Sequence, residues 1–298
     1  MAREKKLSPG ELGPPWTVLK LLRWTAGFFE EEGVTETPRL DADLLLGHVL
    51  DFDRIELYTQ TETIVDDEPR QTFRQLVKRR AAGEPVAYLV GTRSFWQLEL
   101  DTDDRALIPR PETEVLVERA LELLAEGEPK RVVDVGTGTG AVALALASER
   151  PAIRVAATDL SADALALARQ NVEKAGLDEQ IALYQGDLLD ALPAASKPVD
   201  LIVSNPPYVP EASRDDVMVD VRDFEPEDAL FAGPEGLSVL RRLIKQAADR
   251  LVDGGWLAVE IGHQQGEAVA DLFADAGFQE VDIRQDYGDR DRVVSGHT

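Results

Sequence analysis

The sequence predicts an α/β fold with a mostly parallel sheet, preceded by a small all-helical domain and a linking β-hairpin. Short apolar runs alternate with helical stretches from Arg131 onward, which is typical of parallel strands joined by crossover helices. Residues 1–85 show only helical spacing of apolar side chains. Residues 86–110 contain two apolar runs around a turn. We therefore predict three parts, with boundaries at 1–85, 86–110 and 111–298.

The apolar residues of the N-terminal domain recur at the spacing of three amphipathic helices. Gly33 marks the end of the first helix, because glycine readily adopts the left-handed conformation that closes a helix. Gly83-Glu84-Pro85 ends the third helix and the domain. The three helices are predicted over residues 16–32, 40–50 and 66–82.

The segment after this domain shows strand signals in place of helical spacing. Tyr88 to Val90 and Phe95 to Leu100 are apolar runs on either side of Gly91, which predicts the two strands of a linking hairpin. Pro111 then introduces a helix over residues 112–124, because proline is favoured at the first helical position.

The C-terminal part predicts a doubly wound parallel sheet, because strands and helices alternate along it. Further helices are predicted over residues 141–150, 236–251 and 264–276. The strands are predicted over residues 131–135, 153–158, 181–185, 199–204, 256–261, 278–284 and 292–294.

Three strand ends in this part carry glycine or acidic residues. Gly136-Thr137-Gly138-Thr139-Gly140 joins a strand to a helix, and such glycines let a ligand approach the backbone. The spacing is G-x-G-x-G, whereas nicotinamide-binding proteins have G-x-G-x-x-G. Asp159 ends the next strand, where it is placed to accept from both hydroxyls of a ribose. Asp187, with Leu188 beside it, follows a third strand and is placed to accept from an adenine amino group.

Asn205-Pro206-Pro207-Tyr208 follows the strand over residues 199–204. Two successive prolines cannot continue a central strand, so the chain leaves the sheet here with a stiff backbone. The Asn205 side chain and the Pro206 carbonyl offer two acceptors, and Tyr208 offers a flat ring. This set suits a planar –NH2 group, although the tetrapeptide alone would also fit a plain turn.

Together these strand ends predict a Rossmann-like class I methyltransferase domain that uses S-adenosyl-L-methionine. Asn205, Pro206 and Tyr208 are the predicted catalytic residues, and Pro207 joins them in binding the substrate. The predicted cofactor-binding residues are Gly136, Thr137, Gly138, Thr139, Gly140, Asp159, Asp187, Leu188 and Asn205.

The chain resembles the HemK/PrmC family of protein-(glutamine-N5) methyltransferases, which modify peptide-chain release factors. Leu107 to Glu114, which reads L-I-P-R-P-E-T-E, is the segment most specific to that family. Leu188 departs from the pattern, because several members have an aromatic residue there. The other matching segments are Glu84 to Gly91, Asp134 to Gly140, Asn205 to Pro210, Phe224 to Leu230, Glu260 to Gly266 and Asp286 to Arg292.

The resemblance implies a substrate, the glutamine of the Gly-Gly-Gln loop of bacterial release factors. It also implies that the N-terminal helical domain helps to dock this partner. The same acceptor pair fits the exocyclic amine of adenine, so an N6-adenine methyltransferase acting on DNA or RNA is the alternative. A docking scaffold that merely retains a nucleotide-binding fold is a third reading.

Composition narrows these choices. The net charge of −24 repels phosphate backbones, which disfavours a nucleic-acid substrate. The same acidity fits an ordinary acidic protein or a surface adapted to high salt. The chain has no cysteine, and its three histidines lack metal-ligand spacing, so we expect neither disulfides nor a metal. No bilayer-spanning stretch or secretory signal is evident, so we expect a cytoplasmic protein that does not contact membranes. We also expect it to be a monomer.

Overall fold

A computed structural model describes residues 14–194, 196 and 198–298. The chain forms two compact units. The helical unit comprises Met1–Gly91, as far as it is described, together with Val219–Phe224. The sheet unit comprises Thr92–Met218 and Glu225–Thr298. The first 13 residues of the predicted N-terminal domain lie outside the described part.

Up to Gly91, the helical unit confirms the three predicted helices and adds two short ones. Thr17 caps the first helix by accepting from the Lys20 N–H, and Gly33, with φ 64°, ends it. The first added helix went unpredicted although Asp53 and Glu56 form a capping box at its start. The helices are α1 Val18–Glu32, α2 Pro38–Leu50, α3 Arg54–Thr59, α4 Asp67–Ala81 and α5 Val86–Val90.

Val219–Phe224 packs into the helical unit although it lies far along the chain. Arg80 is buried there, and its Nε donates to Asp41 Oδ2 at 2.8 Å. The Arg80 Nη2 atom lies 3.5 Å from Asp220 Oδ2. The Phe224 ring packs so closely on Gly83 that a Cβ at residue 83 would lie 3.2 Å from Cε2. An ion pair and an aromatic contact thus tie this segment to the helices.

The predicted strand over Tyr88 to Val90 is wrong, because these residues belong to α5. Pro85 precedes the helix with a fixed φ, and the Gly91 N–H closes it by donating to the Ala87 carbonyl at 2.8 Å. Periodicity cannot distinguish a helix from a strand in so short an apolar run. The hairpin lies further along the chain, with strands β1 Thr92–Phe95 and β2 Leu98–Asp101.

The sheet unit contains a seven-stranded sheet in the order β5-β4-β3-β6-β7-β9-β8. Adjacent pairs from β5 to β7 are parallel, and β9 is antiparallel to both of its neighbours. This order confirms the predicted mostly parallel α/β fold. The strands are β3 Arg131–Val135, β4 Arg154–Asp159, β5 Ile181–Gln185, β6 Val199–Ser204, β7 Leu251–Glu260, β8 Gln279–Gln285 and β9 Asp291–His297.

Helices cover both faces of this sheet, and the two cores follow the strand alternation. Val132 packs in one core and Val133 in the other, as do Leu201 and Ile202. Among the described residues, no helix has the length and apolar character needed to cross a bilayer. The remaining helices are α6 Glu114–Leu123, α7 Ala141–Glu149, α8 Ala162–Ala175, α9 Val219–Arg222, α10 Ser238–Ala248 and α11 Gly266–Asp275, of which α9 belongs to the helical unit.

The strand order creates a crevice beside β3. Consecutive parallel strands run outward from β3 on one side through β4 to β5, and on the other side the chain continues with β6. Open α/β sheets bind ligands at the carboxyl ends of strands flanking such a switch point. The glycine loop follows β3, Asp159 ends β4, and Asn205 follows β6, so all three lie at this edge.

Candidate active site

A cavity of about 500 Å³ lies at the carboxyl ends of β3, β4 and β6 in the sheet unit. Most of the sequence-predicted site residues line it. Gly140, Pro206 and Tyr208 are not among the lining residues. The predicted residues that line the cavity are Gly136, Thr137, Gly138, Thr139, Asp159, Asp187, Leu188, Asn205 and Pro207.

The glycine loop crosses from β3 towards β4. The N–H groups of Gly136 and Thr137 both donate to the Thr158 carbonyl, at 2.8 and 3.0 Å. Gly136 has φ 71°, a left-handed conformation that side chains other than glycine rarely adopt. At Gly140 an added Cβ would lie 3.3 Å from Leu144 Cδ1. Gly140 therefore serves close packing at the start of α7, whereas Gly136 shapes the cavity wall.

Asp134 supports this loop from within the sheet. Its Oδ2 accepts from the Thr137 hydroxyl at 2.6 Å and from the Ala143 N–H at 3.1 Å. Burial raises the pKa of Asp134 to about 6, although both hydrogen bonds lower it. The carboxyl thus connects the loop to the first turn of α7.

Asp159 presents its carboxylate to the same cavity from the end of β4. Its Oδ2 accepts from the Gly138 N–H at 2.9 Å, and its Oδ1 accepts from the Ser161 N–H at 2.9 Å. Burial raises the pKa of Asp159, while these backbone hydrogen bonds lower it. Each carboxylate oxygen has two acceptor sites, so both oxygens keep capacity for a ligand.

Asp187 and Leu188 follow β5 at the outer part of the cavity. Arg242, which also lines the cavity, donates to Asp187 Oδ2. Both side chains are about half exposed, so this ion pair contributes little to stability. Leu188 is half-buried with φ 50°, and it provides an apolar wall. The sequence had given no indication that Arg242 would be near Asp187.

Asn205 is half-buried where the chain leaves β6. Its Nδ2 donates to Thr113 Oγ1 at 3.0 Å. Thr113 ends the 3₁₀ helix Pro111–Thr113, which precedes α6. The family-specific segment over residues 107–114 therefore forms part of the cavity wall next to the Asn-Pro-Pro-Tyr turn.

Tyr208 is anchored behind this turn. Its hydroxyl donates to Glu260 Oε1 at 3.2 Å, and its carbonyl accepts from Gln265 Nε2 at 3.0 Å. A Cβ at Gly236 would lie only 2.2 Å from the Tyr208 carbonyl oxygen. Burial raises the pKa of the Tyr208 hydroxyl well above its usual range, and the nearby Glu260 raises it further. The turn is thus held by hydrogen bonds and by close packing on a glycine.

Glu225 fixes the same family-specific segment of the wall. It is buried, its Oε2 accepts from the Ile108 N–H at 3.0 Å, and its Oε1 accepts from Arg110. The sequence left the roles of Arg110 and Thr113 open, and it assigned none to Glu225 or Glu260. The only sequence signal for these residues was their position inside the family-specific segments, since a lone buried carboxyl has no periodicity or spacing to identify it.

Comparison with known proteins agrees with this geometry. Residues 20–91 match the family model for the PrmC N-terminal domain, and residues 112–221 match that for the methyltransferase small domain. A release factor glutamine methyltransferase of Rhodopirellula baltica is 41% identical over 94% of this chain and 96% of its own. A protein of the same name from Escherichia coli strain K12 is 44% identical over 92% of this chain and 97% of its own.

The chain belongs to the release factor glutamine methyltransferase family. The resemblance inferred from the sequence is thereby confirmed, as is the prediction of an enzyme. Membership in this family implies a methyl donor. A methyltransferase from Pyrococcus furiosus superposes with a TM-score of 0.51 at 17% identity, covering 68% of this chain and 90% of that one. This similarity concerns the fold alone.

Proposed function

We propose that the chain transfers a methyl group from S-adenosyl-L-methionine to the side-chain amide nitrogen of the glutamine in the Gly-Gly-Gln loop of peptide-chain release factors. The observation that supports this proposal most directly is the position of Asn205. Its amide lines the same cavity as the glycine loop and Asp159. A carboxamide that accepts a substrate –NH2 group would therefore lie beside the methyl donor.

The residues around the cavity fit this donor. A volume of about 500 Å³ is within the usual range of ligand sites. Asp159 would hold the ribose hydroxyls, and Gly136 to Thr139 would form the wall beside them. Asp187 and Leu188 would receive the adenine, with Leu188 giving an apolar surface in place of an aromatic one. S-adenosyl-L-methionine, when bound, supplies an electrophilic methyl group on a positively charged sulfur.

The chain's own residues would orient the nucleophile. An amide nitrogen is a poor nucleophile because its lone pair is delocalised into the carbonyl. We propose that Asn205 Oδ1 and the Pro206 carbonyl accept its two N–H bonds, while Pro207 and the Tyr208 ring pack on the amide plane. Both acceptors stabilise the positive charge that develops on nitrogen. Positioning of this kind is worth roughly 7–11 kcal/mol in well-oriented reactions.

The partner would dock in part on the helical unit. That unit exposes several large apolar side chains, of which Ile55 and Ile64 are 73% and 60% exposed. These side chains are available to be buried against a partner. We place the reaction in the cytoplasm, where release factors act, and we expect the enzyme to act as a monomer.

The test is mass spectrometry of a release factor incubated with this protein and S-adenosyl-L-methionine. We expect the Gly-Gly-Gln peptide to gain the mass of one methyl group, located on the glutamine by fragmentation. A release factor with that glutamine replaced by alanine is the matched control and should stay unmodified. Methyl transfer to adenine in DNA or RNA, with none to release factor, would overturn the proposal.

A further inference from the structure

Neighbouring side chains set the orientation of the Asn205 amide, an inference that rests on the function proposed above. An asparagine side chain has an acceptor end and a donor end of almost the same shape. Only the acceptor end can receive an N–H bond from a substrate amide. The structure places Asn205 Nδ2 at 3.0 Å from Thr113 Oγ1, which leaves Oδ1 for the cavity.

The direction of this hydrogen bond depends on which acceptor receives the hydrogen bond that the Thr113 hydroxyl donates. Thr113 is only 4% exposed, so water cannot easily take that proton. A hydroxyl that donates elsewhere can only accept from Asn205. A hydroxyl that is free to rotate could instead donate to Asn205 Oδ1, and the amide would then turn its –NH2 group towards the cavity.

Glu260 is a buried carboxyl close to Thr113. It ends β7, is fully buried, and receives the Tyr208 hydroxyl on Oε1 at 3.2 Å. Its Oε2 makes no hydrogen bond of standard geometry with any described residue. Thr113 is one of the neighbours that lower the pKa of this carboxyl, so its hydroxyl lies near the unpartnered oxygen. An ionised carboxyl only accepts, so the Thr113 hydroxyl would donate to it and accept from Asn205.

We propose that Glu260 and Thr113 are positioning residues that fix which end of the Asn205 amide faces the substrate. The ionised carboxyl accepts from Thr113, Thr113 accepts from Asn205, and Asn205 Oδ1 is left to accept from the glutamine. The carboxyl also receives the Tyr208 hydroxyl, so one group orients both ends of the Asn-Pro-Pro-Tyr turn.

The protonation state of Glu260 therefore matters. Burial raises its pKa to about 7, whereas Thr113, Arg292 and the Tyr208 hydroxyl lower it and Glu112 raises it. Arg292 faces the carboxyl from β9 and is itself paired with an aspartate, at 3.1 Å. The protonated form, which dominates below pH 7, can donate to Thr113 and reverse the chain of hydrogen bonds. Activity should therefore fall as the pH falls through about 7.

The first experiment compares Glu260→Gln with wild type, using kcat and KM for release-factor methylation between pH 5.5 and 9. Glutamine keeps the size of the side chain but offers Thr113 either an acceptor or a donor. We expect kcat to fall roughly 10-fold to 100-fold, the range found when residues that orient metal ligands are changed. Calorimetry should show unchanged affinity for S-adenosyl-L-methionine. The inflection of kcat/KM near pH 7 should disappear in the variant.

Glu149→Gln is the matched control. Glu149 is a partly buried carboxyl of the sheet unit that, like Glu260, accepts from an aromatic side chain, in this case Trp96 Nε1 at 2.7 Å. It does not line the cavity. This variant should retain both the wild-type kcat and the inflection near pH 7.

A second pair of variants covers the outcome in which Glu260→Gln fails to fold. Thr113→Val removes the hydroxyl and keeps the shape, whereas Thr113→Ser keeps the hydroxyl. We expect Thr113→Val to lower kcat by roughly tenfold or more, whereas Thr113→Ser should keep most of the wild-type kcat. Equal activity of the two variants would overturn the proposal, because a purely structural role would not depend on the hydroxyl.

A readout that needs no methyl transfer separates this inference from the proposed function. The side-chain amide resonances of Asn205, identified by their loss in Asn205→Ala, should titrate with pH in wild type but not in Glu260→Gln. A wild-type enzyme that methylates no release factor would reject the proposed function. An enzyme that does methylate it, with unchanged kinetics and amide titration in Glu260→Gln, would reject only the positioning roles.

Discussion

Asn205 illustrates how little stability a proposed catalytic side chain contributes. It is half-buried and makes one side-chain hydrogen bond in the described structure, to Thr113. Asn205→Ala should cost about 1 kcal/mol of unfolding free energy. Turnover should fall by a factor on the order of 10² or more, as when one preorganised polar contact is lost. Denaturant unfolding and single-turnover kinetics measure the two effects.

Asn171→Ala is the stability comparison for this prediction. Asn171 is buried and makes three hydrogen bonds, with Asp101 N–H, Asp101 carbonyl and Thr139 carbonyl. Its loss leaves buried backbone groups unsatisfied, so it should destabilise the protein far more than Asn205→Ala. If Asn205→Ala proves as destabilising as Asn171→Ala, the turn is structural and its chemical role is wrong.

Substitutions of a single residue, Asp159, test the proposed ribose contact. Asp159→Ala should weaken binding of S-adenosyl-L-methionine by about 1.5–3 kcal/mol, the usual contribution of a hydrogen bond to a charged group. The side chain also holds the Gly138 N–H, so part of the loss would come from the loop. Asp159→Asn keeps one acceptor oxygen for Gly138 and should bind with intermediate affinity. Calorimetry distinguishes the three proteins, and equal affinities would refute the assignment.

At the scale of elements, the turn after β6 depends on the segment before α10. A Cβ at Gly236 would lie 2.2 Å from the Tyr208 carbonyl oxygen, and Gly236 also has φ 71°. Gly236→Ala must therefore displace the turn that carries Asn205. We expect a marked loss of both turnover and melting temperature.

Gly254 provides the matched substitution, because it has φ 72° and open space around the position of a Cβ. Gly254→Ala therefore introduces the backbone strain of about 1–2 kcal/mol without the collision. It should lower the melting temperature moderately and leave turnover unchanged. Equal turnover in Gly236→Ala and Gly254→Ala would mean that the turn tolerates displacement.

The elements differ in how well the sequence predicted them, and the reason is physical. β5 and β6 were predicted to the residue, because each is a short apolar run that ends at polar or glycine residues. α5 was misassigned as a strand, because five apolar residues between Pro85 and Gly91 fit the helical period and the strand period equally well. β7 begins at Leu251, which the sequence analysis assigned to the end of the preceding helix, because Gly254 and Gly255 interrupt the apolar run before the predicted start at Trp256.

The site was predicted unevenly for a related reason. Motifs made of consecutive residues, such as the glycine loop and the Asn-Pro-Pro-Tyr turn, were assigned to the cavity edge from their positions after strands. The hydrogen bond between Thr113 and Asn205 joins residues 92 positions apart. The contact of Tyr208 with Glu260 spans 52 positions. Neither contact can be inferred from local patterns, because both depend on the order of strands in the sheet.

At the scale of the whole molecule, the net charge of −24 makes stability depend on salt. Repulsion between exposed charges acts over about 10 Å at 0.1 M salt and over about 3 Å near 1 M. We therefore expect the melting temperature to rise between these concentrations. Scanning calorimetry in sodium chloride measures it, and a flat or falling profile would contradict the prediction.

A double variant separates charge screening from general salt effects. Glu30 and Glu32 are exposed in the last turn of α1, which has no basic residue, so they repel the negative end of the helix dipole. Changing both to glutamine should raise the melting temperature at 0.1 M salt. This increase in melting temperature should be smaller at 1 M salt, because the repulsion between the wild-type charges is already screened there.

The packing of Val219–Phe224 with the helical unit bears on how such a protein can be recombined. A chimera that exchanges only the chain up to Gly91 would separate Asp220 from Arg80 and Phe224 from Gly83. The new helices would then meet a foreign charge and a foreign ring. The helical unit therefore cannot be exchanged as one continuous segment. Any graft of it from a relative must include both the chain up to Gly91 and the segment Val219–Phe224.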